Sequence, residues 1–244
     1  MEKITNNIIC MKWGDKFGAD YVNRLYKMVK RNVTVPFRFV CFTENSEGIV
    51  DGVEVKPLPP MDLDESLPEK GWRKLTLFQP QLADLEGTAL FLDLDIVIKA
   101  NIDCFFKEVG EFLIIRDYDF QNDIVGNSSV FRFELGKHNY VLDNFLTNGE
   151  YVRKNFKNEQ AYLSYAIYDN GILKYWDNNW VVSFKRQCLY PFPVNFFKTA
   201  KEPKLAKIVI FHGRPTPQQA RNGYFGKGGF RYVRPVKWLD KYWV

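Results

Sequence analysis

The chain has 244 residues and a net charge of +5, and 46% of its residues are hydrophobic. With 16% aromatic residues, this composition excludes a largely disordered chain and supports a domain with a sizeable core. Because the basic residues are dispersed, the dense positive surface of a nucleic-acid-binding protein is not predicted, and no nucleic-acid partner is expected.

The first hundred residues alternate between apolar runs of strand length and segments with helical spacing. In the first helical segment, Tyr21, Leu25 and Met28 fall on one face. Strands are predicted at 8–11, 37–43, 53–58 and 89–98, and helices at 20–31 and 71–78. Such alternation predicts an α/β fold with a mainly parallel central sheet flanked by helices.

The second half of the chain has a mixed pattern. Strands are predicted at 111–116, 129–133 and 207–211, and helices at 140–146 and 159–167. The sequence has no internal repeat, low-complexity segment or clear linker. We therefore expect a single domain over residues 1–244, with an appendage of mixed aromatic and basic residues at about 218–244.

The C-terminal segment 225–243 allows two interpretations. Its bases and aromatics could lie on an anionic membrane surface, where a lipid-linked molecule would be found. It could instead pack onto the domain as a terminal helix, which is the interpretation we favour.

Four cysteines are spaced widely, at Cys10, Cys41, Cys104 and Cys188, without a CxxC motif. They are predicted to be free thiols in a reducing compartment. The first seven residues lack the apolar core of a signal peptide, and no apolar stretch approaches the ~20 residues of a membrane helix. A cytoplasmic location is expected, with peripheral contact at the inner membrane face as the alternative.

Two carboxylates, Asp93 and Asp95, interrupt the apolar run 89–98. If that run is one strand, both side chains project from the same face, about 6–7 Å apart. Two such carboxylates repel each other and are costly to bury, and a divalent cation would resolve both costs. Oxygen ligands suit Mg²⁺ or Mn²⁺. We predict a metal site at the carboxyl end of a central strand, although an Asp-x-Asp pair without function is the alternative.

An Asp-x-Asp pair after a strand also occurs in phosphatases of the haloacid dehalogenase type, as nucleophile and acid. Those enzymes usually carry the pair after the first strand, followed by Gly or Thr. Here the pair comes after about ninety residues and is followed by Ile96 and Val97. A phosphatase is therefore the less favoured interpretation.

Five segments extend the pattern around this pair. They are WRKLTLF at 72–78, LFLDLDIVI at 90–98, GNSSV at 126–130, NEQAYL at 158–163 and IFHGRP at 210–215. In this order the segments resemble the family 8-type glycosyltransferases, and the resemblance spans roughly residues 8–217. It implies a GT-A fold, a nucleotide-sugar donor and a retaining reaction.

The resemblance also implies roles for the matched residues. Asp93, Asp95 and His212 would bind Mn²⁺ or Mg²⁺, and the catalytic residues Glu159 and Gln160 would lie beside the anomeric carbon. The residues implied to bind the donor are Lys12, Trp13, Lys74, Asn127, Ser128, Gly213 and Arg214. Each also has a simpler interpretation, as a solvated, capping, turn or core residue.

Three positions depart from the family pattern. Glu159 stands where the family usually has Asp, and Ser129 stands where it usually has Gly. The late loop lacks the usual lysine, and Arg214 is the candidate to replace that charge at the donor phosphates.

The sequence therefore predicts a hexosyltransferase that uses a nucleoside-diphosphate sugar, expected to be a UDP-sugar. The acceptor would be a hydroxyl of a glycan or of a lipid-linked molecule. A catalytically silent nucleotide-sugar or glycan-binding module is the second hypothesis, and a basic RNA-associated protein is the third.

Overall fold

A computed structural model describes residues 6–63, 68–119, 124–226 and 232–244. Residues 1–5, on which the expected absence of a signal peptide partly depends, lie outside the described residues. So do residues 227–231 of the C-terminal segment.

The strands and helices follow the predicted order. The strands are β1 (Asn6–Lys12), β2 (Arg38–Thr43), β3 (Glu54–Lys56), β4 (Thr88–Leu92), β5 (Ile96–Ile98), β6 (Phe112–Arg116), β7 (Gly126–Glu134), β8 (Leu173–Tyr175), β9 (Val181–Ser183), β10 (Ile208–Ile210), β11 (Tyr224–Phe225) and β12 (Tyr232–Val233). The α-helices are α1 (Ala19–Asn32), α2 (Cys104–Lys107), α3 (Asn139–Asn155), α4 (Glu159–Asp169), α5 (Pro217–Asn222) and α6 (Leu239–Tyr242). The helix predicted at 71–78 is a 3₁₀ helix, Trp72–Phe78.

The main sheet has seven strands in the described residues, in the order β3-β2-β1-β4-β7-β6-β8. Strands β3, β2, β1 and β4 pair in parallel, and β6 pairs in parallel with β8. Strand β7 runs antiparallel to both its neighbours, β4 and β6. The predicted α/β architecture with a mainly parallel sheet is confirmed, and β4 is the central strand.

The apolar run 89–98 is not one strand, so the prediction that Asp93 and Asp95 share one strand face is wrong. Strand β4 ends at Leu92 in the main sheet, and β5 begins at Ile96 in a second sheet of order β5-β10-β9. The chain turns between them, where the Asp93 amide donates to the Ser129 carbonyl at 2.9 Å. Both strands are buried, which explains why the run is apolar on either side of the turn.

The core lies on both faces of the main sheet. Alternate residues of β1 point in opposite directions, so Ile8 packs with α1 while Ile9 packs on the other side. The side of Ile9 is covered by the 3₁₀ helix, α3 and α4, and Trp72 stacks on Phe145 with ring centroids 5.3 Å apart. The side of Ile8 also holds the second sheet.

The described part of the C-terminal segment packs onto α1. Trp243 is fully buried, and its indole meets the Tyr21 ring edge-on at 5.3 Å. Its carbonyl accepts a hydrogen bond from Arg24. The favoured packing interpretation is supported for residues 232–244. Among the residues that the structure describes, no helix has both the length and the apolar character needed to cross a bilayer.

Candidate active site

A cavity of about 480 Å³ opens where β1 and β4 end. Strand β7 runs the other way, so its first residues reach the same edge of the sheet. Strand β10 runs antiparallel to β5, which places the loop after β10 beside the residues that precede β5. Of the predicted site residues, those that line this cavity are Lys12, Trp13, Lys74, Asp93, Asp95, Asn127, Ser128, Glu159, Gln160, His212 and Gly213.

Lys74 and Asp93 form the central ion pair of the cavity. The Lys74 Nζ lies 2.7 Å from Asp93 Oδ1, and the two side chains are 8% and 25% exposed. The ammonium also donates to the Ser128 carbonyl at 3.2 Å and lies 4.9 Å from the centre of the Phe91 ring. Lys74 is therefore a buried cation fixed against the first carboxylate, and not the solvated helix lysine of the simpler interpretation.

The electrostatic balance around Lys74 keeps it charged. Burial lowers the pKa of Lys74, but the carboxylates of Asp93 and Glu159 raise it, and the pKa ends above its ordinary value. Asp95 shows the opposite imbalance, since burial and then the charge of Asp93 raise its pKa to about 7. The charge of Asp93 therefore opposes the ionisation of Asp95.

Asp93 and Asp95 are placed to bind a divalent cation, but the structure does not bring them together with His212 as a three-residue metal cluster. Among the described residues, no three His, Cys, Asp or Glu side chains form a ready-made metal cluster. His212 lines the same cavity, but its Nε2 is 2.7 Å from the Ser183 hydroxyl. Mg²⁺ commonly binds through one or two carboxylates together with substrate phosphates and water. Asp93 and Asp95 fit that mode, and His212 as third ligand stays a prediction.

Glu159 begins α4, and its carboxyl is buried beside Lys74. The Ser128 hydroxyl donates to Glu159 Oε2 at 2.9 Å, while Oε1 has no hydrogen-bond partner among the described residues. Burial raises the pKa of Glu159 to about 7, against the opposing effect of Lys74. A β-carbon at Gly71, where φ is 86°, would lie 3.2 Å from Oε2. Glycine therefore leaves room for this carboxyl.

Gln160 follows Glu159 and is held by a residue that sequence analysis missed. Its Nε2 donates to Asp117 Oδ2 at 3.2 Å. Asp117 is itself buried, just beyond the end of β6. This contact fixes the orientation of the amide, and its carbonyl oxygen has no hydrogen bond within the described ranges.

His212 is held by two contacts. Besides Ser183, the ring of Tyr118 stacks parallel to it at 6.3 Å. Burial, and then the nearby Lys185, lower the pKa of His212, so the imidazole is neutral near pH 7. A neutral imidazole with a fixed ring plane suits a ligand or hydrogen-bonding role.

No family model matches the chain, and no curated protein sequence matches it. Several solved structures match the chain. The galactosyltransferase LgtC, in complex with donor and acceptor sugar analogs, has a TM-score of 0.55 at 14% identity, covering 91% of this chain and 90% of LgtC. The glycosyltransferase GlyE of Streptococcus pneumoniae TIGR4 has a TM-score of 0.58 at 11% identity, and the bifunctional glycosyltransferase WbbM has 0.54 at 12%. The chain has the GT-A glycosyltransferase fold.

The extent of this likeness differs among the three. This chain spans 56% of the length of GlyE and 47% of the length of WbbM, with 87% and 89% of its own residues covered. At these identities the likeness concerns the GT-A fold alone. In the structure, the Asp-x-Asp pair lies in the turn directly after the central strand β4. The GT-A fold does not favour the haloacid dehalogenase alternative.

One predicted donor residue does not line the main cavity. Arg214 lines a second cavity of about 290 Å³, which meets the first at His212. Its assignment to the donor phosphates therefore stays a prediction without support from its position. Lys12 does line the main cavity, and its Nζ donates to the Asn45 carbonyl at 3.3 Å.

The main cavity is also lined by polar residues that the sequence patterns did not identify. Lys16, Glu69 and Lys70 line it, and Asp117 supports it through Gln160. All four lie in loops, where hydrophobic periodicity cannot predict which way a side chain points. The signal that could have found Asp117 is its place directly after the strand predicted at 111–116.

Proposed function

We propose that this chain is a glycosyltransferase that moves a hexose from a UDP-sugar to a hydroxyl of a glycan or lipid-linked acceptor. The observation that carries the proposal is the pair Asp93 and Asp95 at the end of the central strand, facing a cavity in which Lys74 is bound to the first carboxylate. The GT-A fold and the sugar analogs bound by LgtC support it.

The charge of the cavity supports a metal-dependent reaction. Among the residues that the structure describes, its lining has equal numbers of basic and acidic side chains: Lys12, Lys16, Lys70, Lys74, Glu69, Asp93, Asp95 and Glu159. A nucleoside diphosphate adds negative charge to this balanced site. Asp93 and Asp95 would hold Mn²⁺ or Mg²⁺, and the ion would supply positive charge that offsets the negative charge of the departing diphosphate.

Lys74 supplies the fixed positive charge of the protein itself. Its ammonium is bonded to Asp93, after β4, and to Ser128, on the neighbouring strand β7. A buried cation that is already oriented stabilises developing negative charge without reorganisation. We infer that Lys74 stabilises the leaving diphosphate or the sugar hydroxyls beside it, and that Asn127 and Ser128 bind the donor sugar.

In the proposed transfer, the acceptor oxygen forms a bond to the anomeric carbon as the bond from that carbon to the phosphate oxygen breaks. The acceptor proton passes to the departing phosphate, and attack from the leaving-group face retains configuration. The Gln160 carbonyl oxygen, oriented through the amide contact with Asp117, would stabilise the cationic sugar.

Glu159 is less suited to act as a nucleophile in a double displacement. With a pKa near 7, a large share of Glu159 is protonated at neutral pH, and only the carboxylate form can attack. The carboxyl is also hydrogen-bonded to Ser128 behind Lys74. We therefore infer that Glu159 holds Ser128 and Lys74 in place.

Thermal-shift measurements with UDP-sugars, with and without Mn²⁺, test donor binding, because a ligand of the folded state raises the melting temperature. The donor that binds is then used to measure hydrolysis and transfer. Asp93→Asn and Asp95→Asn should lose most activity and keep the fold, whereas Asp169→Asn, an exposed carboxylate, serves as control.

Unchanged turnover by Asp93→Asn would show that the metal assignment is wrong. A donor that binds to the parent without hydrolysis or transfer would favour the silent binding module.

A further inference from the structure

The second cavity, of about 290 Å³, lies beside the proposed donor site, and His212 lines both. Its walls come from the loop after β10 and from residues around the π-helical turn Phe184–Cys188. A molecule placed in it would therefore reach the donor cavity at His212. An acceptor must bind next to the donor, and this cavity adjoins the donor cavity at His212.

The charge of the second cavity differs from that of the first. The charged residues that line it, among those the structure describes, are the basic Lys185, Arg186 and Arg214 and the acidic Asp119. Arg186 Nη2 lies 2.6 Å from Asp119 Oδ1. Basic side chains outnumber the acidic one in this part of the lining, which favours an anionic ligand.

Arg214 and Lys185 are brought together by the glycine between His212 and Arg214. Gly213 has φ of 79°, and a β-carbon there would lie 3.2 Å from the Lys185 Nζ. The lysine side chain thus lies directly over the backbone that carries Arg214. In the described ranges the Arg214 guanidinium has no hydrogen bond or ion pair, and its planar donors suit phosphate and carboxylate groups.

Aromatic side chains line the same cavity. They are Tyr190 and Tyr232. A tyrosine combines an apolar ring with a polar hydroxyl, and this combination suits contact with a sugar.

We propose that the second cavity is an acceptor subsite selective for a sugar carrying a phosphate or carboxylate group, which Arg214 and Lys185 bind. The inference rests on the proposed glycosyl transfer and adds the class of acceptor. It also reassigns Arg214 from the donor phosphates to the acceptor.

The test measures binding in two separate experiments. Calorimetric titration with UDP and Mn²⁺ reports on the donor cavity. Ligand-observed NMR titration of the UDP-loaded protein then gives the affinity for glucose 6-phosphate, glucuronic acid and the neutral methyl glucoside. The variants are Arg214→Gln and Lys185→Gln, and Lys204→Gln is the matched control because Lys204 is exposed and lies outside both cavities.

At least one acidic sugar should bind more tightly than methyl glucoside. Arg214→Gln should weaken that binding by about tenfold to a hundredfold, the loss expected for a hydrogen bond to a charged group. The same variant should leave the Kd for UDP within twofold of the parent value, and Lys204→Gln should change neither affinity.

Three results would overturn the acceptor assignment. The first is equal affinity for acidic and neutral sugars. The second is a weaker affinity for UDP in Arg214→Gln, which would return Arg214 to the donor phosphates. The third is binding of inorganic phosphate as tight as that of glucose 6-phosphate, since the cavity would then bind an anion without recognising a sugar. Failure of the parent to bind UDP or any UDP-sugar would instead contradict the proposed function itself.

Discussion

Replacing Lys74 by methionine removes the buried cation of the cavity and leaves a side chain of similar length. Removing one partner of a buried ion pair typically costs about 3–5 kcal/mol, because the other charge loses its compensation. Asp93 is 25% exposed, so water relieves part of that cost. The free energy of unfolding should fall by about 3 kcal/mol, equivalent to roughly 6–12 °C in Tm for a chain of this size.

The measurement is reversible urea unfolding at pH 8 in EDTA, followed by far-UV circular dichroism. Asp93→Asn and the double variant Lys74→Met/Asp93→Asn complete a double-mutant cycle. The double variant should be more stable than the sum of the single losses predicts, by at least ~1 kcal/mol, since neither variant side chain then leaves a charge unpaired.

An exposed ion pair of nearly the same length provides the control. Lys56 Nζ lies 2.8 Å from Asp84 Oδ1, with side chains 27% and 57% exposed. Lys56→Met should cost less than about 1 kcal/mol. If Lys74→Met costs no more than Lys56→Met, or if the cycle shows no coupling with Asp93, the buried ion pair is not a structural anchor of the cavity.

Three further variants probe other parts of the structure. Because the pKa of Glu159 is raised to about 7, the native state holds its proton longer than the unfolded chain, and stability falls as pH rises from 4.5 to 8; Glu159→Gln should remove on the order of 3 kcal/mol of that fall in pH-dependent urea unfolding. Gly71→Ala, at φ 86°, should lower stability by about 1–3 kcal/mol in the same assay and weaken UDP-sugar binding through displacement of Glu159. Trp243→Ala should cost about 3–5 kcal/mol by calorimetry, because the indole is fully buried. A loss below 1 kcal/mol there would contradict the packing of the C-terminal segment.

Hydrophobic periodicity predicted most of the fold, but it did not predict the turn at residues 93–95, which divides the apolar run 89–98 into two strands. Ile96 and Val97 are as apolar as Leu90 and Phe91 because both groups are buried, each in a different sheet. A local pattern of apolar residues does not show which sheet a strand belongs to. The break is set by pairing partners distant in the chain, β7 for β4 and β10 for β5.

The candidate site was predictable where motifs follow strands or begin helices. Asp93, His212 and Glu159 lie at such positions, and the topology brings them to one cavity. Arg214 shows the limit, since it follows Gly213 directly and yet lines the neighbouring cavity. The position of Arg214 in the sequence predicted that it lies near the site, but not which of the two cavities its side chain lines.

The turn at residues 93–95 joins strands of two different sheets, so each carboxylate lies next to a different sheet. Asp93 is tied to the main sheet through its amide and Ser129, while Asp95 directly precedes β5 in the second sheet. The distance between the two carboxylates therefore depends on how the two sheets pack together. If Asp93 and Asp95 hold a cation as proposed, changing the volume of a core residue such as Val97 or Ile208, outside the lining of the cavity, would alter that fit and with it the preference between the smaller Mg²⁺ and a larger cation. The hydrophobic core would then influence which metal the proposed site prefers.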